Sequence, residues 1–304
     1  MRIVVAIGGN ALLERGEVPD AATQRKRLAA AAPALSALAA EHQLVLVHGN
    51  GPQVGLLAVE SEADTSLTRP YPLADLVAES QGLIGSWLQQ DLGPAGEVAT
   101  VITHVVVDAD DPAFQAPSKF IGATYEEAAA RRLAGRHGWT VRRDGGAWRR
   151  VVASPRPREV VELPAAATLL EAGATVVMAG GGGVPVVRAA EGLRTVDAVV
   201  DKDYAAGLAA DRLGADLLVI LTDVEGVMTG FGTPEQAMLA SVRHQDLAEL
   251  RLPAGSMGPK VEAAVSFVAA GSAGPGGPGR RAAIGALRDA EDVVAGRAGT
   301  QIVR

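Results

Sequence analysis

Cysteine is absent from this chain of 304 residues. That excludes disulfides and thiolate metal sites and suits a reducing, cytoplasmic setting. Aromatic side chains are scarce, at 3%. The interior must therefore be built from Ala, Val, Leu and Gly, a mix that fits Val-rich buried strands under Ala-rich helices. Long apolar runs are missing as well. Nothing approaches the ~18 residues of a membrane span, so no membrane partner is expected. The N-terminal MRIVVAIGGN is interrupted at Gly8, Gly9 and Asn10, too early for a secretory signal. Positive charge is not in excess either. The formal net charge of −7 argues against a general nucleic-acid binder. It leaves room for an anionic ligand, because a few local cations and helix ends can make a site.

Lysine is the rarest charged residue. Of the 28 basic residues, 24 are arginine and only four are lysine: Lys26, Lys119, Lys202 and Lys260. Where arginine does the ordinary surface work, a lysine stands out. Its compact ammonium can touch one phosphate oxygen as a point charge.

What the chain does contain is a repeating βα rhythm. RIVVAI, LVLVH, TVITHVVVD, ATVVMA, DLLVILTD and RAAIGAL read as strands, most of them almost continuously apolar. Such strands are covered on both faces, which predicts a mostly parallel sheet. Helices are predicted at 21–41, 74–91, 202–213 and 259–270. The fold class expected is α/β, an open αβα sandwich. One region breaks the rhythm. In WTVRRDGGAWRRVV (139–152), two short strands flank Asp144, Gly145 and Gly146, a hairpin signal. It lies in a stretch from about Pro112 to Pro164, read as a small projecting subdomain; insertions of that length are often lids. A boundary is expected near residue 213, giving lobes 1–212 and 213–304, and GSAGPGGPGRR (271–281) reads as a flexible stretch.

Glycine loops follow three strands: IGGNAL, HGNGPQVG and GGGGVPV. Ligands of open α/β sheets bind beyond the carboxyl ends of strands, where glycine lets backbone N–H groups approach an anion. The common nucleotide signatures nevertheless fail. HGNGPQVG has Val54 where the dinucleotide fingerprint wants its third glycine, and GSMGPK has proline before Lys260, so it is no Walker A loop. Ser80, Ser86 and Ser256 lack a nucleophile-elbow context. His48 has no ligand partners at metal spacing and reads as a strand-end hydrogen bonder; no metal-ligating set of side chains is expected. Three lysines do group by context. Lys119 sits in APSKFIG, Lys202 between Asp201 and Asp203, and Lys260 at the start of a helix. Converging cations of this kind neutralise the oxygens of a phosphoryl group in transfer, and an aspartate among them would hold them in place. Lys26, in TQRKRL, reads as a solvated helix face.

With these residues in hand, the chain resembles the carbamate kinases of the amino acid kinase superfamily. The matching stretches include AIGGNAL (6–12), HGNGPQVG (48–55), ADLVAESQGLIGSWLQQ (74–90), DPAFQAPSKFIG (111–122), AGGGGVPVV (179–187), VVDKDYAAGLAA (199–210), LLVILTDVEGV (217–227) and GSMGPKVEAA (255–264). The resemblance implies reversible phosphoryl transfer between ATP and carbamate, giving ADP and carbamoyl phosphate, with Mg2+ and as a homodimer. It implies that Gly8, Gly9, Asn10, Gly49, Asn50 and Gly51 line the acceptor site. Lys202 and Lys260 should contact the phosphoryl group or the nucleotide phosphates, Asp203 should orient them, and Thr222, Asp223 and the loop reaching Val227 should border the nucleotide. Ala6 stands where many superfamily members carry a lysine, which points to Lys119 of the projecting subdomain as the replacement cation. Phe120 and Ala123 replace a frequent proline, and Arg156 a frequent lysine. Two other readings stay open at this stage: a same-fold kinase for another small acid or phosphate, and a nucleotide-binding sensor without chemistry. A nicotinamide-dependent dehydrogenase is disfavoured by the missing fingerprint.

Overall fold

The structure, a computed structural model, describes residues 1–9, 12–13, 17–250, 257–271 and 279–304. The chain begins with β1 (Arg2–Ile7), α1 (Ala21–Glu41), β2 (Gln43–His48), α2 (Gly51–Ala63) and α3 (Leu73–Leu92). It continues through β3 (Val98–Thr100), β4 (His104–Val107), β5 (Lys119–Tyr125), α4 (Glu127–His137), β6 (Thr140–Asp144) and β7 (Ala147–Val152). Next come β8 (Pro157–Val160), α5 (Leu163–Glu171), β9 (Thr175–Val177), β10 (Val184–Ala189), β11 (Gly192–Thr195), α6 (Lys202–Arg212) and β12 (Leu217–Thr222). The last part holds β13 (Met228–Thr229), β14 (Ala237–Met238), β15 (Ser241–Arg243), α7 (His244–Glu249), α8 (Met257–Ala270), β16 (Arg281–Ala286), α9 (Ala290–Val294) and β17 (Thr300–Val303).

Eight strands form the main sheet, in the order β15-β17-β16-β12-β1-β2-β9-β3. Every neighbouring pair is parallel except β16 and β17. Alternation along β1 explains its two-sided burial. Ile3, Val5 and Ile7 face a layer of α1, α3 and α9 that includes Leu28, Leu35, Ile84, Leu88 and Val293. Val4 and Ala6 face the opposite layer, where α6 and α8 supply Ala205, Ala206, Ala210, Ala264 and Phe267. The alanines of α6 let its backbone approach β1 closely, so a sandwich this poor in aromatics still packs. The αβα sandwich is thus the architecture expected from the strand pattern. The expected lobe boundary at residue 213 falls just before β12, which is bonded to β1 on one side and β16 on the other.

TVITHVVVD, read as one strand, is divided between two sheets: its first residue, Thr100, ends β3, and His104–Val107 form β4. β3 is the edge of the main sheet, and β4 belongs to a four-stranded sheet ordered β11-β10-β4-β8. Thr103 makes the break. Its backbone N–H donates to Gln81 Oε1 (3.0 Å), and its carbonyl accepts from the Val184 N–H of β10 (2.8 Å) and from Gln81 Nε2 (3.2 Å), so α3 and β10 together take these groups out of the main-sheet ladder. The third sheet, β5-β7-β6, is antiparallel and carries the predicted hairpin, paired from Thr140↔Val151 to Asp144↔Ala147. This small unit occupies 119–152; β8, inside the stretch read as one excursion, instead pairs with β4. Ile121 and Val152 root the unit in a cluster with Val54 and Ala58 of α2 and Leu73 and Val77 of α3.

Candidate phosphoryl-transfer site

The carboxyl ends of three adjacent strands define the floor. Ile7 of β1 pairs with His48 of β2 and Leu221 of β12. Gly8 N–H donates to the Leu221 carbonyl and Gly49 N–H to the Ile7 carbonyl, both at 2.9 Å. The two loops touch backbone to backbone: a Cβ on Gly49 would lie 2.9 Å from the Gly9 nitrogen. That closeness requires glycine. Directly after it, Gly51 and Pro52 open α2, so HGNGPQVG is a helix start as much as a loop. Proline in the first turn after Asn50 was the available signal. Asn50 does not cap α2 with its side chain; it donates to Ser80 Oγ of α3 at 2.8 Å. The first N–H groups of α2 keep their capacity for an anion. Ser80 therefore belongs to the site as a support that its sequence context did not reveal. Asn10 lies outside the described residues, as do Gly255, Ser256 and most of the 271–281 stretch.

The third glycine run acts by packing. Gly180–Gly183 are buried, and a Cβ on Gly181 would lie 2.1 Å from Asn50 Nδ2, with φ at +65°. A Cβ on Gly180 would lie 2.3 Å from His48 Nε2, and one on Gly182 would lie 2.1 Å from the Val200 carbonyl. The turn thus sits between the His48–Asn50 loop and the residues leading into α6. His48 is 1% exposed and its Nδ1–H donates to the Gly49 carbonyl at 2.9 Å. Burial, opposed by that bond and helped by the Lys202 charge, pushes the imidazole down to about 4, so it is neutral at physiological pH.

The start of α6 gathers the lysines. Asp203, 2% exposed, accepts from Lys202 Nζ at 2.5 Å with one oxygen and from Lys260 Nζ at 2.9 Å with the other. Lys260 reaches it from the first turn of α8 and is 7% exposed. Burial alone would raise the Asp203 carboxyl; the two ammonium groups outweigh it and hold the carboxyl below its usual range. Lys202 moves down, chiefly through burial, with Asp203 opposing and Lys260 assisting. An isolated buried ammonium pair would be costly; a shared carboxylate makes it tolerable. Lys119 joins from β5, its Nζ 2.8 Å from Asp201 Oδ2. Asp201 is the N-cap of α6, its other oxygen accepting from the Asp203 N–H at 3.0 Å. Three ammonium groups thus face two carboxylates, and one positive charge is left over for a ligand.

Thr222 ends β12 and its hydroxyl donates to Asp223 Oδ1 at 2.9 Å. Val227 does not line a surface. Its side chain is wholly buried, its N–H donates to Thr300 Oγ1 and its carbonyl accepts from Leu239. Its side chain is part of the support beneath that loop. Arg156 stacks over the Tyr204 ring at 3.7 Å and pairs with Glu262, tying the segment after β7 to α6 and α8. Among the described residues no three acidic or histidine side chains gather as a metal cage.

The profile of the Amino acid kinase family matches residues 1–273. A carbamate kinase of Rhizobium meliloti is 48% identical, over 99% of this chain and 93% of its own. One from Escherichia coli K12 is 46% identical over 99% of this chain and 98% of its own. Among solved structures, a carbamate kinase from Giardia lamblia bound to AMP-PNP superposes with a TM-score of 0.90 at 35% identity, covering 99% of this chain and 98% of that one. Fold, loop geometry and near-full-length similarity agree: the chain belongs to the amino acid kinase family and, within it, to the carbamate kinases.

Proposed function

We propose that the protein transfers a phosphoryl group reversibly between ATP and carbamate, releasing ADP and carbamoyl phosphate, and that it makes ATP from carbamoyl phosphate in the catabolic direction. The observation that carries this reading is the buried Lys202–Asp203–Lys260 bridge at the start of α6. Two ammonium groups fixed by one carboxylate are a preorganised electrostatic clamp, positioned before charge develops on the transferring group. Lys202 and Lys260 grip the phosphoryl oxygens, and Asp203 positions them. Carbamate is already an anionic oxygen nucleophile, so no general base is required. Gly8, Gly9, Asn10, Gly49, Asn50 and Gly51 form the acceptor loop, and the N-terminus of α2 adds its positive end. Thr222 and Asp223 border the nucleotide, with 1–212 as acceptor lobe and 213–304 as nucleotide lobe. The Giardia relative bound to AMP-PNP supports a nucleotide as one of the two substrates. Both oxygens of Asp203 and of Asp201 are already bonded. These carboxylates are engaged by ammonium groups and a helix N–H, so Mg2+ would be held mainly by the nucleotide phosphates, where it would neutralise their charge. Two copies form the working homodimer, in the cytoplasm, where a cysteine-free chain is suited.

Initial rates of ATP formation from ADP test the reading. Carbamoyl phosphate should be used in preference to acetyl phosphate and acetylglutamyl phosphate by about tenfold or more in kcat/KM. A preference for either of the other two would reassign the acceptor.

A further inference from the structure

Asp201 holds two partners that belong to different parts of the molecule. Oδ1 accepts from the Asp203 N–H at 3.0 Å and caps the helix that carries Lys202 and Asp203. Oδ2 accepts from Lys119 Nζ at 2.8 Å, across 82 residues of sequence. The cap is local and its kind is common. The second bond is not needed for capping, and it reaches into the small antiparallel unit. The two sides of this pair differ in exposure. The Asp201 side chain is 11% exposed and that of Lys119 42%. A pair open to water on one side contributes little to stability, under about 1 kcal/mol. It is therefore easily exchanged for a stronger acceptor such as a phosphoryl oxygen.

We infer that Asp201 is a positioning residue: it parks the Lys119 ammonium beside the lysine clamp and so holds the 119–152 unit over the site. This rests on the phosphoryl-transfer reading given above. With no substrate bound, Asp201 neutralises Lys119 and keeps it within a side chain's length of the α6 start. When an acyl phosphate arrives, Lys119 moves from the carboxylate to the phosphoryl oxygens while Asp201 keeps the cap. Two further contacts guide the same unit: Tyr125 OH donates to Glu62 of α2 at 3.1 Å, and Arg150 pairs with Asp197 at 2.8 Å. Neither touches the clamp. Among the described residues, the Lys119–Asp201 bond is the polar side-chain contact that joins the unit to the start of α6.

The test separates cap from latch. Asp201→Asn retains an oxygen acceptor for the Asp203 N–H, since asparagine is a good N-cap, but loses the charge that holds Lys119. Its melting temperature should match the wild type, whereas Asp201→Ala should melt lower. In Asp201→Asn the kcat/KM for carbamoyl phosphate should fall about tenfold, with ADP affinity by calorimetry unchanged. In a Lys119→Ala background the same substitution should change kcat/KM by less than about twofold, because its partner is gone. Equal effects in both backgrounds would make Asp201 a cap only and overturn the proposal. A second readout needs no turnover. Amide hydrogen exchange over 119–125 in the substrate-free protein should quicken in Asp201→Asn and not in Glu62→Gln at the same magnitude. Unchanged exchange in Asp201→Asn overturns the latch. An unmutated protein inactive on carbamoyl phosphate, but with the exchange difference present, would instead reject the reaction assignment and leave the latch standing.

Discussion

At the scale of single residues, the account turns on charges that burial would otherwise forbid. Asp203 keeps Lys202 and Lys260 together, and its charge opposes the burial that pulls Lys202 down. Asp203→Asn removes that opposition. Lys202 then loses its proton at lower pH, so the alkaline limb of the kcat profile should move toward neutrality while turnover falls. The acidic limb should stay where it is, because the role proposed for Asp203 is positioning rather than proton abstraction. A pH profile of both proteins decides this; a displaced acidic limb would contradict the positioning role. His48 carries a different signature. Its folded-state value of about 4 lies below the usual 6.5, so the unfolded chain binds the proton first as pH falls. The stability from keeping His48 neutral is complete above about pH 6.5 and drains away toward pH 4. From pH 7.5 to 5 this one group should cost about 2 kcal/mol. His48→Asn can still donate to the Gly49 carbonyl but does not titrate. Denaturant melts at both pH values should show a smaller loss for the variant; equal losses would place the sensitivity elsewhere.

At the scale of elements, the sequence was most legible where one physical demand dominated. Strands buried on both faces betrayed themselves as apolar runs, and the Asp144–Gly146 turn gave away its hairpin. The lysines were legible because lysine is so rare here. What stayed hidden depended on partners distant in sequence. Nothing local in TVITHVVVD says that Gln81 will capture Thr103 and send the chain from one sheet to another. Ser80 looked idle until Asn50 turned out to lie against it. Val227 sat in a motif expected to border a nucleotide, but the motif does not say which of its side chains faces inward. The Gly180–Gly183 turn read as a ligand loop because glycine is equally needed for close packing. Gly181→Ala tests that distinction. Its Cβ would meet Asn50 and adopt φ near +65°, so the loss of stability should exceed about 2 kcal/mol. Gly145→Ala, at φ +60° but in open space, should lose only on the order of 1 kcal/mol. Equal denaturation midpoints for the two variants would mean that the turn is not packed as described.

At the scale of the whole molecule, the clamp is assembled from segments with no local connection. Lys119 comes from a small antiparallel sheet, Lys202 and Asp203 from the start of α6, and Lys260 from α8. The sandwich brings them together by packing α6 and α8 side by side on one face of the sheet. The glycine turn then sets the lead-in to α6 against the acceptor loop. Folding and the proposed chemistry are in this sense a single arrangement, and the proposed clamp centres on Lys202. Its side chain is only 11% exposed, and its ammonium is held by the Asp203 carboxylate rather than left unpaired in the hydrophobic layers. The decisive measurement is kcat for ATP formation from ADP and carbamoyl phosphate in Lys202→Ala and unmutated protein, with circular dichroism confirming the same fold. Loss of one donor to the transition state predicts a fall on the order of 100-fold or more. Near-equal turnover in a folded variant would contradict the clamp.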